Sequence, residues 1–308
     1  MLIVFPGALG DLICFIPALR ALARRHAPTA IELMARGELA RFAAGRLGVE
    51  RGHAIDRPEV SLLFSEAEDA AARAAGFFGG FARVYSFFGA EDVSFRRTLA
   101  EACGGLVTFH PFRPISFGEG GGHVASAYLR LLGETETAAP LEVSVTLGAE
   151  DLAAASRALA RNGLEPANFT LLMPGSGSRK KNWPAAKFAE LARLLHPQRP
   201  AAILLGPAEA ELGRLFRERR LPVLQALELG EVAAVARMAS SFVGNDSGVS
   251  HLAAATGTPG VVLFGPTDPI RWRPLGEIKV LTRSPLDDLP VAEVIQALTE
   301  LESRRERG

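Results

Sequence analysis

Apolar residues in the second half of the chain fall into short unbroken runs, FTLLM (169–173), AAILLG (201–206), SFVG (241–244) and GVVLFG (260–265), separated by stretches with helical apolar spacing. Runs of that length predict strands buried on both faces. The amphipathic stretches between them predict crossover helices, and together they make a parallel α/β sheet. The pattern is clearest in WPAAKFAELARLLH (183–196), where Pro184 suits a first turn and Phe188, Leu191, Leu194 and Leu195 share one face. AEAELGRLFRER (208–219) and LGEVAAVARMA (229–239) repeat it. PVAEVIQALTELES (290–303) predicts a last helix, placed either on its own domain or back on the first one.

The first half has the same ingredients in looser order: LIVF (2–5), DLICFIPALRALARR (11–25), AIELMAR (30–36) and ARVYSFF (82–88), with glycines and phenylalanines at 76–90 blurring the pattern. The segment 134–149 carries Pro140 and no strong periodicity, so the domains are expected to be 1–145 and 146–308. LIVFPGALGD (2–11) and TLLMPGSGSR (170–179) each run apolar strand, Pro-Gly, glycine-containing loop, then helix. Both halves therefore open on the same supersecondary unit, and two Rossmann-like domains with parallel sheets are expected to face each other across a cleft. In such sheets ligands gather beyond the carboxyl ends of the strands.

Composition narrows the function classes. At 308 residues, 48% hydrophobic and 22% charged, the chain has the profile of a soluble two-domain globular protein. Lys+Arg and Asp+Glu both count 34, so no broad polyanion-binding surface, and hence no nucleic-acid partner, is expected. Cys14 and Cys103 are the only cysteines, which argues against a disulfide framework or a structural zinc and for a reducing cytoplasm. The apolar start lacks a basic leader and is interrupted by Pro6, Gly7, Gly10 and Asp11, so it predicts a strand, loop and helix rather than a signal peptide. No apolar run approaches the ~20 residues that span a bilayer.

Three stretches could carry chemistry. In MPGSGSRKKNWP (173–184), small residues allow close backbone approach, and Ser176, Gly177, Ser178, Arg179, Lys180 and Lys181 supply N–H groups, hydroxyls and positive charge for phosphate oxygens. A solvated loop is the alternative. In NDSGVSHLAAATGTP (245–259), Asp246 or Ser247 can cap a helix that follows a strand directly, Gly248 allows close approach, and Gly257 with Pro259 ends it. Such a helix mouth favours an anion such as a diphosphate, and His251, one turn from Ser247, could donate to a phosphate or sugar oxygen or be a satisfied core residue. In GALGDLICFIPAL (7–19), Asp11 is either a helix-capping residue or a carboxylate placed to take a proton from an incoming hydroxyl.

Weaker candidates remain. Glu209 and Glu211 in GPAEAE (206–211) follow the second strand of the second domain, where a carboxylate can pair with ribose hydroxyls or simply start a surface helix. GPTDP (265–269) reads first as a turn, with Thr267 or Asp268 beginning the next element, and His123 lies at a helix start from which it could reach the cleft, with no role identified by its spacing. No DxD, HExxH or paired-carboxylate spacing indicates a catalytic metal.

With these motifs in place, the sequence resembles the bacterial heptosyltransferase family, glycosyltransferase family 9, of the GT-B fold. The resemblance covers most of the chain. It rests on GDLICFIPAL (10–19), HVASAYLRLLG (123–133), PGSGSRKKNWP (174–184) and, most specifically, VGNDSGVSHLAAATGTPGVVLFGPTDP (243–269). It implies a nucleotide-sugar donor such as ADP-heptose held mainly by the second domain, a lipopolysaccharide-core or other lipid-linked or oligosaccharide acceptor held by the first, and no further cofactor. Asp11 matches the aspartate proposed as the family's general base, and Lys181 the lysine near the donor phosphates. Asp246, Ser247 and Gly248 match the donor-binding triplet, Ser247 replacing the more common threonine, and His251 matches the histidine of the same motif. Inversion at the anomeric carbon without a metal is the implied outcome. Phe5, Pro6, Gly7 and Ala8 depart from the family, in which a basic residue and hydroxyls often precede the first Gly-Asp.

The expectation is therefore an inverting glycosyltransferase in which Asp11 deprotonates the acceptor while Lys181, the 174–178 backbone and the helix mouth at Ser247 stabilise the departing diphosphate. Asp246 and His251 are expected on donor sugar or nucleotide, with Glu209 beside them. A sugar-nucleotide epimerase of similar two-domain fold and a non-catalytic nucleotide-sugar-binding protein are the alternatives; neither glycine loop gives the GxGxxG of a nicotinamide dehydrogenase. A basic edge in RALARRHAP (20–28) would suit a peripheral contact with the inner face of the membrane, or be no more than scattered surface arginines.

Overall fold

A computed structural model describes residues 1–104, 106–113, 122–134, 141–195 and 199–305. The chain divides into two compact units, Met1–Pro140 and Leu141–Gly308. Residues 135–140 of the expected connection lie outside the described residues, and 141–148 form no regular element.

The first unit runs β1 (Leu2–Val4), α1 (Leu9–Arg25), β2 (Glu32–Ala35), α2 (Gly37–Ala43), β3 (Arg51–Ala54), α3 (Pro58–Leu62), α4 (Ala70–Phe78), β4 (Val84–Ser86), α5 (Val93–Ala102), β5 (Val107–Phe109) and α6 (Val124–Leu131). Its five strands are all parallel, in the order β3-β2-β1-β4-β5. One face of the sheet is closed by Phe78, Phe95 and Leu99, fully buried against Leu2, Val4 and Val84. Each such side chain contributes about 1.5–3 kcal/mol by leaving water. Asp92 caps α5 by accepting the Phe95 N–H at 2.7 Å. His123 caps α6, its Nδ1 accepting the Ala125 N–H at 3.2 Å, which gives this histidine a structural task.

The second unit runs α7 (Ala149–Arg161), β6 (Thr170–Met173), α8 (Ala185–Leu195), β7 (Ala201–Leu205), α9 (Leu212–Glu218), β8 (Val223–Gln225), α10 (Leu229–Met238), β9 (Ser241–Asn245), α11 (Gly248–Ala255), β10 (Gly260–Phe264), α12 (Pro269–Trp272), β11 (Ile278–Thr282) and α13 (Val291–Arg305). Six parallel strands lie in the order β11-β10-β9-β6-β7-β8. The four central ones are the apolar runs of the sequence, and all of their residues are buried. Trp183, Phe188, Leu191 and Phe216 pack on Leu172, Ile203, Val243 and Val261. The last helix, α13, packs on α8, β10 and β11 within this unit.

Both cysteines are buried and outside any disulfide, and burial pushes the Cys103 thiol up to about 11. Among the described residues no helix is long and apolar enough to cross a membrane.

Candidate functional site

In a doubly wound sheet the strand order reverses once, and the loops leaving the two strands at the reversal diverge to opposite faces, opening a crevice at their carboxyl ends. In the second unit the reversal lies between β6 and β9. The loop after β6 is 174–184 and the loop after β9 is Asp246–Ser247, so the topology brings the two motifs together although 65 residues separate Lys181 from Asp246.

Their joint is Asn245, fully buried at the end of β9. Its Oδ1 accepts the Trp183 N–H at 2.9 Å, its Nδ2 donates to the Pro174 carbonyl at 2.8 Å, and its own carbonyl accepts the Ser250 hydroxyl at 2.7 Å. One side chain thus fixes both ends of the 174–184 loop to the strand from which α11 starts. Within the loop, Ser176 Oγ accepts the Ser178 N–H at 3.2 Å and lies 2.8 Å from the Ser178 carbonyl and 2.5 Å from Asn182 Oδ1. This ties the Ser176-Gly177-Ser178 backbone into a compact turn that a 3₁₀ turn, Arg179–Lys181, continues.

Lys181 reaches across the crevice. Its Nζ donates to Asp246 Oδ2 at 2.7 Å, and the same oxygen accepts the Thr267 hydroxyl at 2.6 Å. Asp246 is buried and Lys181 is 30% exposed, so the ammonium is held in place while part of it stays open to a ligand. Ser247 is the N-cap of α11, accepting the Ser250 N–H at a long 3.4 Å. The Ser250 hydroxyl is committed to the Asn245 carbonyl, so the 3.2 Å contact between the two serine oxygens has Ser247 as donor. The N–H groups of Ser247, Gly248 and Val249 have no acceptor among the described residues. They sit where the helix dipole is positive, an arrangement suited to an anion. His251 is buried one turn along the same helix.

Glu209 ends the 3₁₀ turn Pro207–Glu209 that follows β7, beside the same loop. A Cβ on Gly175 would meet its carboxyl carbon at 2.4 Å, so glycine there is what lets the acid lie against the loop backbone. Ser176, Gly177, Ser178, Lys181, Glu209, Asp246, Ser247, Gly248 and His251 therefore all belong to the carboxyl-terminal edge of the second sheet. Asn245, Asn182 and Thr267 complete this edge and were missed from sequence. Asn245 opens the 245–259 motif without a role of its own in the sequence; Asp268 begins the next element, one of the two residues expected to, by capping the Ile270 N–H at 2.9 Å, while Thr267 turns to Asp246.

Asp11 belongs to the first unit, in which the strand order reverses between β1 and β4. It is the third residue of α1 rather than its cap residue, is 7% exposed, and its Oδ2 accepts the Ala8 N–H at 3.1 Å. The Arg113 guanidinium, itself exposed, lies 3.9 Å from the same oxygen, a partner that the sequence pattern did not single out. Gly7 is required here, since a Cβ would lie 2.4 Å from the Phe5 ring and 2.8 Å from Asp11 Cβ. Phe5 fills an aromatic nest with Phe15 at 4.5 Å and Phe112, Tyr128 and Phe87 at 5.6, 5.8 and 6.0 Å between ring centres. Phe5 is thus a core aromatic. Burial and the neighbouring Asp11 charge push the Tyr128 hydroxyl well above the ordinary tyrosine range, so it stays protonated. Among the described residues, no group of three His, Cys, Asp or Glu side chains is placed to hold a metal ion.

The profile of glycosyltransferase family 9 (heptosyltransferase) matches residues 121–298, more than half of the chain, and the protein belongs to that family. Lipopolysaccharide heptosyltransferase 3 of Escherichia coli is 33% identical over 115 residues, 35% of this chain and 34% of that protein. Lipopolysaccharide heptosyltransferase 1 of Escherichia coli K12 is 29% identical over 143 residues, 45% of each. In sequence, then, the chain spans between a third and a half of the length of these relatives. Among solved structures, a family 9 glycosyl transferase from Veillonella parvula superposes with a TM-score of 0.81 at 20% identity, covering 97% of this chain and 96% of that one. E. coli ADP-heptose lps heptosyltransferase II does so with 0.78 at 19% identity, over 99% of both chains. These likenesses establish the fold as two parallel-sheet α/β units of GT-B type.

Proposed function

We propose that the protein is an inverting, metal-independent glycosyltransferase that moves heptose from ADP-heptose to a lipopolysaccharide-core or related lipid-linked acceptor at the cytoplasmic face of the membrane. The observation that carries this reading is the junction of Lys181, the 174–178 loop and the open start of α11 at the strand-order reversal of the second sheet. Together they offer an ammonium and a set of fixed N–H dipoles to a diphosphate whose charge grows as the glycosidic bond breaks, and such preorganised groups act on the transition state more than on the bound donor. Asp246 holds Lys181 with Oδ2, leaving its other oxygen for a sugar hydroxyl; His251 serves the same donor. Glu209, in the turn after the second strand of its unit, pairs with the ribose.

Asp11 is the general base in this proposal. It takes the proton of the acceptor hydroxyl as that oxygen attacks the anomeric carbon, and ADP leaves from the opposite face, so the configuration inverts. What supports the assignment is a buried carboxylate at the carboxyl edge of the first sheet, fixed by the Ala8 N–H and faced by Arg113. The test combines calorimetric ADP binding with transfer assays on the wild type and Asp11→Asn. The variant is expected to bind ADP normally and to lose about 10²–10⁴-fold in turnover. Turnover near wild type would remove Asp11 as the base, and failure of the wild type to bind ADP would remove the donor assignment. Appearance of an epimerised donor in the absence of acceptor would replace transfer by isomerisation.

A further inference from the structure

Four helices leave through a left-handed glycine, Gly104 after α5, Gly133 after α6, Gly163 after α7 and Gly257 after α11, with φ of 66, 73, 65 and 83°; of the non-glycine residues in that region, Ala167, Arg220 and Ala226, Arg220 is the one with a long charged side chain. The same position after α9 is Arg220, with φ of 59°. The exit has the same hydrogen bonds as a glycine-terminated helix, Arg220 N–H to the Arg217 carbonyl at 2.8 Å and Leu221 N–H to the Phe216 carbonyl at 3.1 Å. A side chain in that conformation destabilises the turn relative to glycine, and such strain persists where the side chain has a task.

Arg220 points to one. With Arg193 of α8 and Arg219 it lines a groove of about 610 Å³ whose apolar lining is Ala186, Ala189 and Leu221, of which Ala189 is buried. Glu190 is the single carboxylate of the lining, so three guanidinium groups leave a net charge of two. The neighbouring arginines of α9 are satisfied locally, Arg214 by Glu218 at 2.8 Å and Arg217 by Gln225 at 2.6 Å. Arg219 donates to the Leu215 carbonyl at 2.9 Å. Arg193 and Arg220 have no acceptor among the described residues. Leu194, next to Arg193, is 38% exposed. The residues Arg219–Leu221 enter β8 from its amino-terminal end, the edge of the sheet opposite the loops after β6, β7 and β9, so an occupant here does not compete with the donor.

We propose that this groove seats the phosphate of an anionic phospholipid and docks the second unit on a membrane surface. Guanidinium forks match phosphate oxygens, the alanine and leucine side chains of the lining meet the glycerol and first acyl carbons, and Leu194 enters the interface. The basic edge expected at 20–28 is a poorer seat, because Arg25 is committed to Glu134 at 2.5 Å and to the Leu132 carbonyl at 2.7 Å.

The test is sedimentation of the full chain with phosphatidylcholine vesicles, with and without phosphatidylglycerol, for the wild type, Arg220→Gly, Arg193→Ala and the double variant. Arg220→Gly relieves the backbone, so its melting temperature is expected to equal or exceed that of the wild type, which separates lost docking from lost folding. The wild type is expected to prefer the anionic vesicles, and the double variant to bind them about 30-fold more weakly. Equal binding to both vesicle types, or a double variant that binds like the wild type, would overturn the proposal. Displacement of the protein from vesicles by millimolar glycerol phosphate, with saturation at one site, would reassign the groove to a soluble phosphate ester and overturn the membrane source.

Discussion

Replacing Asn245 by alanine is the most direct test of how the candidate donor site is built. The side chain is fully buried and makes two hydrogen bonds to backbone groups of the 174–184 loop, the Trp183 N–H and the Pro174 carbonyl. Alanine leaves both without a partner. An orphaned buried group costs about 1–3 kcal/mol, so the pair should cost roughly 2–6 kcal/mol. The chain has two tryptophans, Trp183 and Trp272, both in the second unit, so tryptophan fluorescence follows the unfolding of that unit alone. With urea slopes of about 1–3 kcal/mol per molar, the midpoint should fall by on the order of 1–2 M. Asn245→Asp sharpens the test. It keeps the acceptor for Trp183 but turns a second oxygen toward the Pro174 carbonyl, so it should also destabilise although it leaves no cavity. An alanine variant with an unchanged midpoint, or an aspartate variant as stable as the wild type, would refute the assignment of Asn245 as the joint of the site.

Two further outcomes follow from the geometry. A methyl at Gly244 would lie 2.5 Å from Ser250 Oγ and 3.1 Å from Met173 Cε, so Gly244→Ala should lose about 1–3 kcal/mol in the same fluorescence assay and weaken ADP binding as α11 is pushed from the sheet; wild-type stability would contradict the packing of α11 on β9. His110 is held below the usual histidine range, first by burial and then by Arg25, so the unfolded chain takes up a proton before the folded one does. Its contribution to stability is therefore complete above the unfolded value near 6.5 and falls as pH drops through and below it. The two tyrosines, Tyr85 and Tyr128, both lie in the first unit, so tyrosine absorbance can follow that unit. His110→Gln should flatten its loss of stability on acidification, and an unaltered slope would assign the effect elsewhere.

The legibility of this protein in its sequence follows burial. The central strands of the second sheet are covered on both faces, so their apolar runs are unbroken, and the helices between them need a single apolar stripe. The edge strands β3 (Arg51–Ala54), β5 (Val107–Phe109) and β11 (Ile278–Thr282) are only partly buried, tolerate polar residues, and gave no comparable signal. Ser247 was legible as a possible cap because capping is local; Asp11 was legible as a helix-start residue for the same reason, although α1 begins two residues earlier, at Leu9, and Asp11 caps from its third position by accepting the Ala8 N–H.

What the chain determined alone is thus what near neighbours enforce: alternation of strands and helices, glycines where backbone must pass close, and small polar residues at the ends of β6 and β9. Tertiary structure decided which of these ends meet. The strand order places β6 beside β9, and only then does Lys181 find Asp246, Thr267 close on the same oxygen, and Asn245 reach the 174–184 loop. None of these contacts is local, and each depends on a sheet register fixed by the whole core. For the same reason Arg220, unremarkable in the sequence, acquires meaning only from the left-handed turn it occupies and the groove it faces.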